Sequence, residues 1–293
     1  MLTRRGFLVA GGIGVGALAV GGYVANDLAA DRGIDLLAEA KQRIGLGPTV
    51  REASFTSAHL RQEVNWLTVT PRDTALAGLP LVLALHGRGG TAWDAVGWLR
   101  ADTALQEHVE RGGAPFAIVS VDGGDHSYYH PRADGTDALR MLTDELLPRV
   151  ADLGVRTARL GVMGWSMGGF GALMLARESA QGRLPGHEVV AAIGTAPALW
   201  AEPGASAPGA FDDAEDFDRW GDLVTSPGID GTVALRVDCG DEDPFAGAVR
   251  AYRRKVEPTP AGGFVPGGHD GACWRPLLPA QLAFLAEHLT APV

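Results

Sequence analysis

Ser166 sits in the segment Gly164-Trp165-Ser166-Met167-Gly168. A serine hydroxyl attacks a carbonyl only when a neighbouring base takes its proton, and histidine is the usual base. Two histidines lie in the last part of the chain, His269 and His288. His269 falls in Pro266-Gly267-Gly268-His269-Asp270-Gly271, a loop where an imidazole can take a proton and return it. His288 lies in a helical C-terminal stretch and reads as surface. The base needs a carboxylate to fix its tautomer and stabilise its charged form. Asp238-Cys239-Gly240-Asp241-Glu242-Asp243 offers several; Asp243 is the first choice and Asp241 the second.

The glycines flanking Ser166 have a physical reason. A tight turn between a strand and a helix strains the backbone at the serine and needs small neighbours. Such a turn also puts the Met167 N–H at a helix start, where it can stabilise an oxyanion. A second donor is expected from His86-Gly87-Arg88-Gly89-Gly90, which follows the apolar run Leu81-Val82-Leu83-Ala84-Leu85. The Arg88 N–H is the choice, with Gly87 and Gly89 as alternatives. His86 reads as a residue that orients this loop rather than as the base.

These residues require a scaffold of alternating strands and helices. Val64–Thr70, Leu81–Leu85, Phe116–Val121, Arg159–Met163, Val189–Ile193 and Val233–Val237 read as strands. Residues 92–110, 137–150, 170–177, 245–256 and 274–289 read as helices. That alternation implies an α/β fold with a mostly parallel sheet covered on both faces. With serine, acid and histidine in that chain order, the expectation is an α/β-hydrolase fold. Residues 200–230, rich in Pro, Gly and Asp, carry Trp200, Phe211, Phe217 and Trp220; they read as a wall beside the site.

The N-terminal region reads differently. Thr3-Arg4-Arg5-Gly6-Phe7-Leu8 opens an apolar stretch reaching about Val24, the layout of a twin-arginine export signal. Residues 1–30 are assigned to this signal or an N-terminal anchor, 31–58 to a spacer helix and linker, and 59–293 to the catalytic domain. Export to the cell envelope or beyond is the expectation, with residues 7–24 a candidate membrane contact. The net charge of −10 argues against a nucleic-acid partner. Cys239 and Cys273 are too few for a metal cluster. Each lies four residues from a member of the Asp243–His269 pair, so an exported protein could join them in a disulfide.

The chain resembles the putative-esterase family, which includes esterase D (S-formylglutathione hydrolase), feruloyl esterases and antigen 85 mycolyltransferases. The likeness runs from about residue 60 to the C-terminus. It rests on Gly164-Trp165-Ser166-Met167-Gly168-Gly169-Phe170-Gly171-Ala172-Leu173, on Gly240-Asp241-Glu242-Asp243, and on Gly268-His269-Asp270 followed by Trp274. The family's acid lies three residues after the corresponding Gly, which favours Asp243. Val121-Asp122-Gly123-Gly124-Asp125-His126-Ser127-Tyr128-Tyr129-His130-Pro131 resembles a stretch on the substrate side of the family's cleft. Tyr128, Tyr129 and Trp165 are therefore expected in the pocket. A metal held by Asp122, Asp125, His126 and His130 is the weaker reading of that segment. The resemblance implies ester or thioester chemistry on a small-molecule, lipid or sugar ester, without metal or organic cofactor. An acyltransferase would use the same three residues, and a non-catalytic envelope binding protein would use the fold alone.

Overall fold

The computed structural model describes residues 47–291. The stretches read above as an export signal or anchor and as a spacer helix, and residues 292–293, lie outside the described residues. Eight strands form one sheet in the order β1-β2-β4-β3-β5-β6-β7-β8. β1 (Thr49–Ser57) and β2 (Gln62–Thr70) form an antiparallel hairpin, and β2 pairs antiparallel with β4 (Ala117–Val121). β3 (Pro80–Leu85), β4, β5 (Arg156–Trp165), β6 (Glu188–Thr195), β7 (Ala234–Gly240) and β8 (Phe264–Val265) run parallel.

The central strands read as continuous apolar runs because both faces are covered. All six residues of β3 and all five of β4 are buried. The helices supplying that cover are α1 (Ala101–Glu110), α2 (residues 138–152), α3 (Met167–Ala180), α4 (Ala246–Lys255) and α5 (Leu278–Thr290). α5 turns Leu278, Leu282, Leu285 and Leu289 inward, a spacing that keeps one face of a helix on the sheet. Full burial of each such side chain stabilises the fold by roughly 1.5–3 kcal/mol. No helix among the described residues is long and apolar enough to cross a membrane.

Residues 49–57, assigned above to a linker, form β1 instead. The strand lies at the sheet edge, and only Phe55 and Ser57 of it are buried. Its sequence therefore lacks the apolar alternation that marks a half-buried strand. The 274–289 stretch is also not one helix. Short turns at Gly271–Trp274 and Arg275–Leu277 precede α5, with Pro276 and Pro279 at the breaks.

Candidate active site

Ser166 is the single residue between β5 and α3. Its backbone lies at φ 55° and ψ −118°. For a residue bearing a Cβ this conformation costs about 1–3 kcal/mol and must be imposed by its surroundings. Three hydrogen bonds impose it. The Ser166 N–H donates to Thr195 O at 3.0 Å, and Ser166 O accepts from Phe170 and Ala198 N–H, each at 3.0 Å. Bare backbone approaches from both sides. A Cβ at Gly168 would sit on the Leu85 carbonyl, and one at Gly164 on the backbone of Gly168. Any side chain there would push the turn apart.

The structure brings His269 and Asp243 to this serine. Ser166 Oγ–H donates to His269 Nε2 at 2.9 Å, and His269 Nδ1–H donates to Asp243 Oδ2 at 2.7 Å. The tautomer follows from these partners. Asp243 is buried, and its other oxygen accepts from Phe245 N–H at 2.8 Å. The imidazole is held edge-to-face by Trp274 at 4.8 Å and Phe245 at 5.3 Å between ring centroids. Asp241 points elsewhere and accepts from Gly267 N–H at 3.1 Å. The end of β7 that carries the acid is fixed from below. Buried Gln281 of α5 donates to Asp238 Oδ2 and to Thr195 Oγ1, each at 2.9 Å. Arg236 donates to the same Asp238 oxygen at 2.7 Å.

The loop after β3 faces the serine from the other side. Gly89 N–H is spent on Asp125 O, and Gly90 N–H on Gly87 O, each at 3.0 Å. This excludes Gly89 as the second oxyanion donor and leaves the amides of Gly87 and Arg88. His86 anchors the loop. Its Nδ1–H donates to Gly87 O at 2.7 Å, and its Nε2 accepts from Gly123 N–H at 2.8 Å. Burial holds the His86 pKa below its ordinary value of 6.5, against the opposing pull of the Gly87 carbonyl and of Asp122, Asp94 and Asp125. Neutral His86 thus ties the loop to the segment at 122–125.

A cleft of about 340 Å³ opens over Ser166 and His269. Arg88, Trp165, Trp98 and Trp274 line it with the glycines of the β3 loop. Trp165, expected in the pocket, lines the cleft. Tyr128 and Tyr129, also expected there, are both buried and neither lines this cleft. Tyr129 packs beneath Gly123 and Gly171, and its hydroxyl donates to His86 O at 3.2 Å. Tyr128 packs against Phe170, Trp200 and Phe211. Residues 200–230 pack through this aromatic cluster and do not line the cleft; they touch its rim only through Pro208, whose carbonyl accepts from Arg88 Nη2 at 3.2 Å. Trp98 and Trp274 were missed as cleft residues. Their indoles lie 5.3 Å apart although their chain positions give no sign of contact.

The acids and histidines at 122–130 are used locally. Asp122 accepts from Asn65 and Ala92, Asp125 pairs with His126 at 3.0 Å, and His130 is buried against the Pro131 and Ala210 carbonyls. Among the described residues no group of three or more His, Cys, Asp or Glu is placed to hold a metal. Cys239 and Cys273 are free, buried thiols, not a disulfide. Burial, with the nearby Asp243 charge, pushes the Cys239 thiol up to about 12.

A serine presented on a strained turn at the carboxyl end of a central parallel strand is the layout of the α/β-hydrolase fold. Solved structures share it. A ferulic acid esterase superposes with TM-score 0.69 over 82% of this chain and 98% of its own, at 20% identity. An S-formylglutathione hydrolase from Agrobacterium tumefaciens gives 0.66 over 83% and 96%, at 16% identity. Esterase LipW from Mycobacterium marinum gives 0.61 over 94% and 90%, at 20% identity. At these identities the likeness is one of fold. Residues 57–285 match the family described as "Putative esterase", and the chain belongs to that family. No curated protein matches the chain.

Proposed function

We propose that this protein hydrolyses carboxylic or thio esters through an acyl-enzyme on Ser166. The observation that carries the proposal is the unbroken hydrogen-bond chain from Ser166 Oγ through His269 to buried Asp243. As Ser166 Oγ attacks the ester carbonyl, His269 Nε2 takes its proton. Asp243 steadies the imidazolium that forms. The carbonyl oxygen becomes an oxyanion facing the Met167 N–H, first amide of α3, and the Arg88 N–H. Each such donor contributes on the order of 10²–10³ in rate. Collapse breaks the bond to the leaving group, which receives the proton from His269. Water then repeats the sequence: His269 removes its proton, the hydroxide adds to the acyl carbon, and Ser166 leaves with the proton restored.

A fluorophosphonate probe tests the nucleophile. Wild-type protein should label once, at Ser166, and Ser166→Ala should not label. Equal labelling of both, or of neither, would overturn the proposal. Turnover in ¹⁸O-labelled water tests the acceptor. Label in the released acid supports hydrolysis, whereas acyl transfer to an added alcohol without label would make this an acyltransferase.

A further inference from the structure

The side chain of Arg88 has a separate position from its amide. The residue is exposed at the cleft that holds Ser166 and His269. Its guanidinium extends toward residues 200–230 and donates one N–H to Pro208 O at 3.2 Å. Its charge acts on the Tyr128 hydroxyl, lowering that group's pKa against the larger raising effect of burial, and the Tyr128 ring is packed among Phe170, Trp200 and Phe211. Tyr128 and Tyr129 both hold positive φ, 46° and 59°. Two successive side-chain-bearing residues in that region are costly, and such strain persists only where the surroundings enforce it. Here it seats the Tyr128 ring among Phe170, Trp200 and Phe211, beside the segment that Arg88 contacts.

The groups Arg88 meets here, the Pro208 carbonyl and the nearby Tyr128 hydroxyl, are neutral. The carboxylates nearby are engaged elsewhere: Asp94 accepts from Thr91 N–H at 2.8 Å, Asp125 pairs with His126, and Asp212 pairs with Arg132 at 2.9 Å. Among the described residues Arg88 has no ion pair. A guanidinium has five N–H donors, and one hydrogen bond to a carbonyl leaves the others for a ligand. Held by the Pro208 carbonyl, it is partly oriented before any ligand arrives, which lowers the entropy lost on binding. A planar fork of this kind suits a carboxylate or phosphate, which it can hold with two parallel hydrogen bonds.

We propose that the Arg88 guanidinium is an anion-recognition subsite, so that the esters this protein prefers carry a carboxylate or phosphate near the scissile carbonyl. The inference rests on the hydrolase reading above and adds the substrate class. Because Arg88 N–H also belongs to the oxyanion loop, the informative quantity is a ratio of substrates and not the activity on either. In the acyl arm, kcat/KM is measured for para-nitrophenyl hemiglutarate and its neutral match para-nitrophenyl butyrate. In the alcohol arm, para-acetoxybenzoate is matched with its methyl ester.

In one arm the anionic-to-neutral ratio should fall about 10–100-fold in Arg88→Gln, the range set by a charge-assisted hydrogen bond. Arg88→Lys should recover part of it, and added salt should lower the wild-type ratio. The responding arm tells which side of the ester carries the anion. A ratio unchanged in both arms, in a protein that still labels at Ser166, would overturn this inference alone. No turnover of any ester together with no labelling would overturn the hydrolase reading and this inference with it.

Discussion

Replacing Asp243 by Asn isolates the charge that steadies His269. The carboxylate is buried and 2.7 Å from Nδ1. Taking the charge centres as roughly 4 Å apart in a medium of effective dielectric about 20, the pair interacts by ~4 kcal/mol once the imidazole is protonated. That interaction exists only after Ser166 gives up its proton, so it is lost from the transition state and not from the resting enzyme. At 1.36 kcal/mol per decade the rate should fall by about 10³-fold. An amide at 243 can also donate to Nδ1 and leave the imidazole proton on Nε2, aimed at Ser166, which adds to the loss. The fold should survive, because Asn can still accept from Phe245 N–H. The assay is kcat on para-nitrophenyl acetate, alongside thermal unfolding to confirm a native fold. Asp241→Asn is the control; it should change kcat by less than about threefold because Asp241 does not touch His269. A loss under tenfold for Asp243→Asn, or a larger loss for Asp241→Asn, would refute the assignment of the acid.

Gly168→Ala should destabilise the protein by more than the 1–3 kcal/mol typical of overpacking, because the new methyl meets the Leu85 carbonyl and not a side chain that can turn away; a urea midpoint equal to wild type would contradict this. Acid should loosen the oxyanion loop before the carboxylates titrate. The folded pKa of His86 is depressed, so below 6.5 the unfolded chain binds the proton more readily than the native one. Stability from this group is therefore complete above pH 6.5 and is lost as pH falls through and below it, at up to ~1.4 kcal/mol per unit. A melting temperature constant between pH 7 and 5 would contradict it.

Much of the sheet could be read from the chain, because buried parallel strands are written as apolar runs such as Leu81–Leu85. The serine turn was also legible, since a backbone with no room for a Cβ leaves only Gly at 164 and 168. The histidine and its acid could be placed by chain order and loop context. Other features depend on contacts that local sequence does not encode. β1 is stabilised by its ladder with β2 and carries exposed Arg51 and Glu52, so its residues look like a linker. The aromatic pair at 128–129 looks like a pocket wall, but positive φ at non-glycine residues turns both rings into the core. The tryptophans of the cleft come from positions 98, 165 and 274, and only the folded chain brings them together.

The spacing of the three hydrogen-bonded residues along the chain has a consequence for synthesis. Ser166 and His269 are separated by 103 positions, and His269 follows Asp243 by 26. A ribosome therefore completes the nucleophile's turn long before the base exists, and the Gln281 clasp on the acid strand comes later still. On the hydrolase reading proposed above, a partial product that includes Ser166 but ends before His269 carries the serine with no base to activate it. On that reading, reactivity arrives with the final stretch of translation, and an incomplete chain is chemically silent toward esters around it.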